Sequence, residues 1–369
     1  DPVSLWRTPP FEPVIETAPD GSKRIVARGA GDDKGQLMTF IEACRAWKAV
    51  AGSLPVRVSV LFEGEEESGS PSLVPFLEAN AAELKADVAL VCDTTMWSRE
   101  RPAITFMLRG LVGEEVTVLA ADRDLHSGMF GSAARNPIHV LTGILGRLHD
   151  RDGRVTLPSF YDGVNELPDA IRAQWGELGF DPAAFLHAIG LSVPAGERDR
   201  TVLEQIWSRP TCEVNGIIGG YTGEGFKTVI PAEASAKVSF RLVGDQDPDR
   251  IREVFRSFVS ASLPDDCRVE FTGHGGSAAI TLPHDGRHVG RARKALTDEW
   301  GVEAAMIGGG GSIPVVGDFR RILGMDALMI GFGLDDDRIH SPNEKYELTS
   351  FHRGIRSWAR ILAELAKSE

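Results

Sequence analysis

The sequence predicts an α/β fold built on a mainly parallel sheet, interrupted by a smaller inserted α+β domain. Three observations carry this expectation. A chain of 369 residues exceeds what one compact core normally uses, so two domains are the default. The first hundred residues and the tail alternate buried-strand runs with stretches of helical apolar spacing. The middle instead carries strands with one polar face, as half-exposed antiparallel sheets do. The outer domain is therefore expected over residues 1–110 and 293–369, and the insertion over residues 111–292.

The elements follow in order. Residues 23–27 read as a strand and residues 28–35 as a tight glycine-bearing loop. A helix then follows, with apolar positions at Leu37, Phe40, Ile41, Cys44 and Trp47. Residues 56–62 alternate as the next strand, 63–70 form its loop, 73–84 a helix and 87–92 a third strand ending at Asp93. In the insertion, residues 111–119, 213–218, 234–243 and 268–272 read as strands, and 137–148 and 248–262 as helices. Residues 149–200, rich in Pro, Asp and Gly, read as a long irregular excursion. The outer style returns with a helix over 286–300, a glycine loop over 308–314, an apolar strand over 327–332 and a terminal helix within 346–368.

Composition narrows the function classes. A hydrophobic content of 42% and a charged content of 25% are those of an ordinary globular protein. The formal charge of -13 argues against a nucleic-acid partner and against an anionic membrane surface. Neither a membrane-spanning run nor a signal-peptide pattern is present. Cys44, Cys92, Cys212 and Cys267 are too scattered for a metal or redox motif, which favours reduced thiols and a cytoplasmic setting.

The segment Glu63-Gly64-Glu65-Glu66-Glu67-Ser68-Gly69-Ser70 places four carboxylates at the end of an apolar strand. Crowded carboxylates repel, so a buried cluster calls for a positive counterpart such as a divalent cation, whereas a solvated loop needs none. Asp32, the Glu66/Glu67 pair, Asp93 and His340 each sit just past the carboxyl end of an expected strand, where ligands bind in open α/β sheets. Carboxylates with an imidazole match the ligand preferences of zinc or manganese. Taken singly, Asp32 and Asp93 read equally as cap or turn residues and His340 as a structural histidine. Their joint placement favours a metal site.

Six motifs occur in order: Arg28-Gly29-Ala30-Gly31-Asp32-Asp33-Lys34-Gly35, the glutamate run above, Asp124-Leu125-His126-Ser127-Gly128, Lys227-Thr228-Val229-Ile230-Pro231, Gly310-Gly311-Ser312-Ile313-Pro314 and His340-Ser341-Pro342-Asn343-Glu344-Lys345. Together they resemble the co-catalytic dinuclear metallo-exopeptidases that include carnosine-type dipeptidases, aminoacylase and glutamate carboxypeptidase, and are most similar to the carnosine dipeptidase branch. The resemblance implies a phosphorylase/hydrolase-like catalytic domain with an inserted lid and dimerisation domain. It also implies two divalent ions, zinc or manganese, bridged by Asp32. Glu67 and His340 would serve one ion and Asp93 the other, with Glu66 as general base toward an activated water. His126, contributed across a homodimer, would stabilise the developing oxyanion. Arg241 would grip the substrate's terminal carboxylate, and Thr228, His274, Gly311 and Ser312 would contact substrate. By residue type alone, His126 reads equally as a loop histidine and Arg241 as a strand-surface ion-pair partner.

The pattern departs in two places. The family carries a His-x-Asp motif shortly before an Asp-Pro…Leu-Trp…Pro-Pro-Phe stretch, and here that stretch opens the chain as Asp1-Pro2-Val3-Ser4-Leu5-Trp6-Arg7-Thr8-Pro9-Pro10-Phe11. The first histidine is His126, so one metal site would lack its usual imidazole. The expectation is a fragment of a longer polypeptide, the alternative being an impaired site. Gly308-Gly309 also stands where carnosine-type relatives commonly carry Arg-Glu. The implied function is hydrolysis of a peptide bond in dipeptides or short peptides with a free C-terminal carboxylate. Deacylation of N-acyl amino acids and a catalytically silent binding role stay open beside it.

Overall fold

The computed structural model describes residues 2–368, so Asp1 of the opening motif lies outside the described residues. Internal contacts divide the chain into two units, Asp1–Phe106 with Leu282–Gly308 and Val315–Glu369, and Met107–Thr281 with Gly309–Pro314. The insertion drawn from sequence ran to residue 292. The structure ends it at Thr281, because the helix Arg287–Trp300 packs on the terminal helix Leu348–Leu365 of the first unit.

In the first unit, helices Lys34–Ala51, Arg287–Trp300 and Leu348–Leu365 share a core. Trp358 sits at its centre, fully buried, with Phe40 edge-on at 5.4 Å and Phe332 edge-on at 6.3 Å, and Trp300 stacks on Phe332. The strand Ala327–Met329 runs parallel to Ala89–Val91, while its Met329 pairs antiparallel with Thr105, so the sheet is mixed. A second small sheet is wholly antiparallel, with Val14–Thr17 on Lys23–Val26 and the latter on Lys345–Glu347. The expected strand at residues 23–27 thus exists, but outside the parallel sheet. Its register sets Val26 opposite Lys345, and this brings the Asp32 loop beside the segment that follows His340.

Residues 56–62 form no strand. Alternation alone does not hold an extended segment, because its backbone polar groups need a ladder partner and none is present among the described residues. Val60, Leu61 and Phe62 are consequently exposed. The loop beyond is nevertheless ordered. Glu66–Ser68 make a single 3-10 turn closed by Gly69 in the left-handed region, and the Glu65 carboxylate accepts from the Ser72 backbone N–H and hydroxyl where the helix Leu73–Ala79 begins.

The second unit follows the α+β expectation. An antiparallel sheet runs in the order Arg268–Ser277, Gly110–Leu119, Glu233–Leu242, Thr211–Gly219. Alternate residues of its inner strands (Val112, Val116 and Val118; Val238 and Phe240) point into one core with Leu141 and Ile144 of helix Pro137–Leu145 and Phe255 and Val259 of helix Pro248–Ala261. Within that core lies one carboxylate. Glu114 accepts from Arg252 Nε at 2.7 Å and from Arg256 Nε and Nη2 at 2.9 and 3.1 Å. Residues 149–200 are more regular than expected, since they hold short helices Asp169–Gly176 and Pro182–Ala188. Asp181 starts the second of these by accepting from the Ala183 and Ala184 N–H groups.

Candidate metal centre and substrate contacts

Asp32 stands in the loop between strand Lys23–Val26 and helix Lys34–Ala51, Glu67 on the 3-10 turn, and His340 on the loop before strand Lys345–Glu347. These three converge. His340 Nε2 lies 2.9 Å from Asp32 Oδ2 and 3.2 Å from Glu67 Oε1, and one donor atom from each residue falls within 4.8 Å of the others. The His340 side chain is 67% exposed and that of Glu67 62%, so the cluster is open to small solutes. Glu66 and Asp93 are drawn into the same field. Burial, then Asp32, Glu66 and Glu67, push the Asp93 carboxyl up to about 6. Burial, then Glu67 and Asp32, raise the Glu66 carboxyl, and burial followed by Glu67 raises Asp32.

Asp33, to which the sequence reading assigned no role, belongs to this group too. Its carboxyl is pushed up to about 8 by burial and then by Asp93, Asp32 and Glu66, and its buried Oδ1 has no hydrogen-bond partner. Asp32, Asp33, Glu66 and Asp93 thus all have carboxyl groups raised by burial and by one another's charge, close to the Asp32, Glu67 and His340 cluster. A donor set of carboxylate oxygens and one imidazole nitrogen, with the burden of unpaired acids around it, fits divalent cations. Glu344, which carries no metal-ligand signal of its own in sequence, lies within the His340–Lys345 motif. It is fully buried and accepts hydrogen bonds from the Asp32 loop.

The residues expected from sequence to contact substrate belong to the second unit. Arg241 Nη1 reaches Ser312 Oγ at 3.4 Å, and the Ser312 hydroxyl donates to the Arg109 carbonyl at 2.6 Å. Arg109, a residue without any sequence signal, sends Nε toward the Gly310 carbonyl at 3.3 Å. Burial, then the neighbouring Arg241, hold its guanidinium down at about 10. Glu213 offsets part of that effect, and the two arginines beside Gly310 and Ser312 form a pair of cationic donors of the kind that receives an anion. His126 Nδ1 accepts from the Gly128 N–H at 3.0 Å and its Nε2 lies 3.4 Å from Thr228 Oγ1, on a ribbon of Leu125–His126 and Val229–Ile230 that edges a cleft of about 480 Å³. His274 lies on strand Arg268–Ser277, exposed, with Nε2 3.7 Å from Glu115 on the adjacent strand.

Residues 1–364 match Peptidase family M20/M25/M40. The chain belongs to this family. It is 32% identical to the Cys-Gly metallodipeptidase dug1 of Schizosaccharomyces pombe over 99% of the chain and 78% of the relative, and 29% identical to the Beta-Ala-His dipeptidase of Homo sapiens over 98% and 71%. Its fold superposes on the M20 family metallo-carboxypeptidase Sso-CP2 from Sulfolobus solfataricus with a TM-score of 0.84 at 31% identity, covering 99% of this chain and 82% of that one. It superposes on the di-peptidase Dug1p from Saccharomyces cerevisiae with a TM-score of 0.80 at 28% identity, covering 98% and 76%. This family member is thus a metal-dependent hydrolase with a catalytic unit and an inserted lid unit, and its family implies divalent metal ions. No helix is long and apolar enough to cross a membrane among the described residues.

Proposed function

We propose that the chain hydrolyses dipeptides bearing a free C-terminal carboxylate, with Asp32, Glu67 and His340 holding one divalent ion and Asp32 and Asp93 contributing to a second. The observation that carries this reading is the convergence of Asp32, Glu67 and His340 within 4.8 Å, with Glu66 adjacent yet outside the trio. Zinc and manganese both suit these donors. When bound, such ions supply Lewis acidity that lowers the pKa of water and polarises the scissile carbonyl. Glu66 accepts the proton of the attacking water and returns it to the leaving amine, a task helped by a carboxyl held above its usual range by burial and by Glu67. Arg241, with Ser312 and Gly311 beside it, receives the substrate carboxylate. Thr228 and His274 contact the bound peptide, and His126 donates to the developing oxyanion.

His126 acts across a homodimer in this reading. Support comes from the insertion's exposed apolar surface, where the edge strand Thr211–Gly219 presents Val214, Ile217 and Ile218, and Met129 and Phe226 are also exposed. Four free thiols favour a cytoplasmic location. The Cys-Gly and Beta-Ala-His dipeptidases among the relatives direct the choice of substrates. The test is hydrolysis of a dipeptide panel that includes both of these, set against N-acetyl amino acids, after chelation and after adding back zinc or manganese. Metal-restored dipeptide turnover is expected. Turnover that survives complete chelation, or that is confined to N-acetyl amino acids, overturns the proposal.

A further inference from the structure

The loop that presents His340 is strained. Arg338, His340 and Asn343 all adopt the left-handed region, at φ 58°, 56° and 63°, where a side chain crowds its own backbone. Such a loop keeps its shape only when something holds it. Asn343 is tied at one end, accepting from the Arg7 N–H at 2.8 Å and donating to the Leu5 carbonyl at 3.1 Å. The stronger tie is the next residue.

The Glu344 side chain is fully buried, and its two oxygens are shared among three backbone donors of one loop. Oε1 accepts from the Gly31 N–H at 2.8 Å and from the Asp32 N–H at 2.9 Å, while Oε2 accepts from the Gly29 N–H at 2.9 Å. The Arg28 guanidinium adds a charged bond to Oε2 at 3.0 Å, and the Ala27 N–H donates to the Glu344 backbone carbonyl at 3.2 Å. One carboxylate thus gathers three N–H groups of a single turn in the manner of a bound anion. Its backbone, four residues on from His340, meanwhile anchors the strained loop.

We propose that Glu344 is a positioning residue that locks the Asp32 loop and the His340 loop together and so sets the distance between two metal ligands. The inference rests on the metallopeptidase reading above. It asks more than stability of Glu344. Without its charge, Asp32 and His340 are no longer held at the spacing an ion requires, and metal affinity falls even in molecules that stay folded. Partners that orient metal ligands typically change affinity by about 10–100-fold when removed.

The test is calorimetric titration of the full chain with Mn2+ for the wild type, Glu344→Gln and Gly31→Ala. Glu344→Gln removes the charge and turns an amide NH2 toward N–H donors. Gly31→Ala keeps the charge but sets a Cβ 3.1 Å from the Lys345 carbonyl and 3.6 Å from Glu344 Oε1, wedging the clamp if Glu344→Gln fails to fold. Glu114→Gln, a substitution in the other unit, reports what loss of stability alone does. Mn2+ binding is expected to weaken about 10–100-fold in Glu344→Gln and by a smaller factor in Gly31→Ala, with Glu114→Gln unchanged. Affinities within twofold of wild type in every folded clamp variant overturn the inference and leave the metallopeptidase reading intact. Failure of the wild type to take up Mn2+ or Zn2+ overturns both.

Discussion

Glu114→Gln is the substitution whose effect follows most directly from geometry. The carboxylate is inaccessible and accepts three charged hydrogen bonds, at 2.7, 2.9 and 3.1 Å, from Arg252 and Arg256, which stand one helical turn apart on Pro248–Ala261. Removing one member of a buried pair typically costs about 3–5 kcal/mol, because the partner charges are stranded. The two arginines keep 20% and 37% of their side-chain surface in water, so part of that penalty is relieved, and about 3 kcal/mol is the expected loss. For a unit of this size that lowers the midpoint of thermal unfolding by about 6–12 °C. The comparison is Glu253→Gln on the same helix, whose ion pair with Arg250 is 3.6 Å long and exposed on both sides, and which is expected to leave the midpoint unchanged. Scanning calorimetry of both variants decides the matter. A midpoint for Glu114→Gln within 2 °C of wild type refutes the claim that this buried carboxylate holds the helix to the sheet.

Glu66→Gln is expected to lower kcat by about 10²–10⁴-fold while metal content, measured by plasma emission, stays at the wild-type level; an active variant removes Glu66 as the base. Arg241→Ala should cost about 10–100-fold in kcat/KM on dipeptides and little on their C-terminal amides, and an equal loss on both would show that Arg241 does not read the carboxylate. Glu166 is held down at about 2, chiefly by hydrogen bonds from Arg200 at 2.7 Å to each oxygen. A carboxylate with a depressed folded pKa contributes stability above its unfolded pKa of about 4.3, and that contribution is lost as pH falls toward 2. Glu166 is 61% exposed, so the effect is modest, and Glu166→Gln should flatten the decline in urea midpoint between about pH 4.5 and 2.5. A decline as steep as wild type would show the pair to be energetically silent.

Much of the site was legible because its chemistry is local. Asp32 before a helix, Glu66 and Glu67 after an apolar run, and His340 before Lys345 are chemically marked in the sequence, and the structure draws Asp32, Glu67 and His340 together. The helices of residues 149–200 were legible in principle. Asp181 as the cap and Pro182 at the first helical position are ordinary helix-start signals. Those signals lay in a stretch whose prolines and glycines pointed the other way. Arg109 offered none, because a lone arginine between two strands says nothing until Arg241 and Gly310 are found beside it.

By itself the sequence determined the donor types, the amphipathic helices and the alternating strands of the insertion, since each depends on residues a few positions apart. Only the tertiary structure decided which extended segments found partners. Residues 56–62 have the alternation of a strand and none of its pairing, while Lys23–Val26 pairs with Lys345–Glu347 from the far end of the chain. That same long-range pairing brings Glu344 to Gly29, Gly31 and Asp32, across 312 to 315 residues. A hydrogen-bond ladder is a property of two segments at once, so neither its presence nor its register is written in either segment alone.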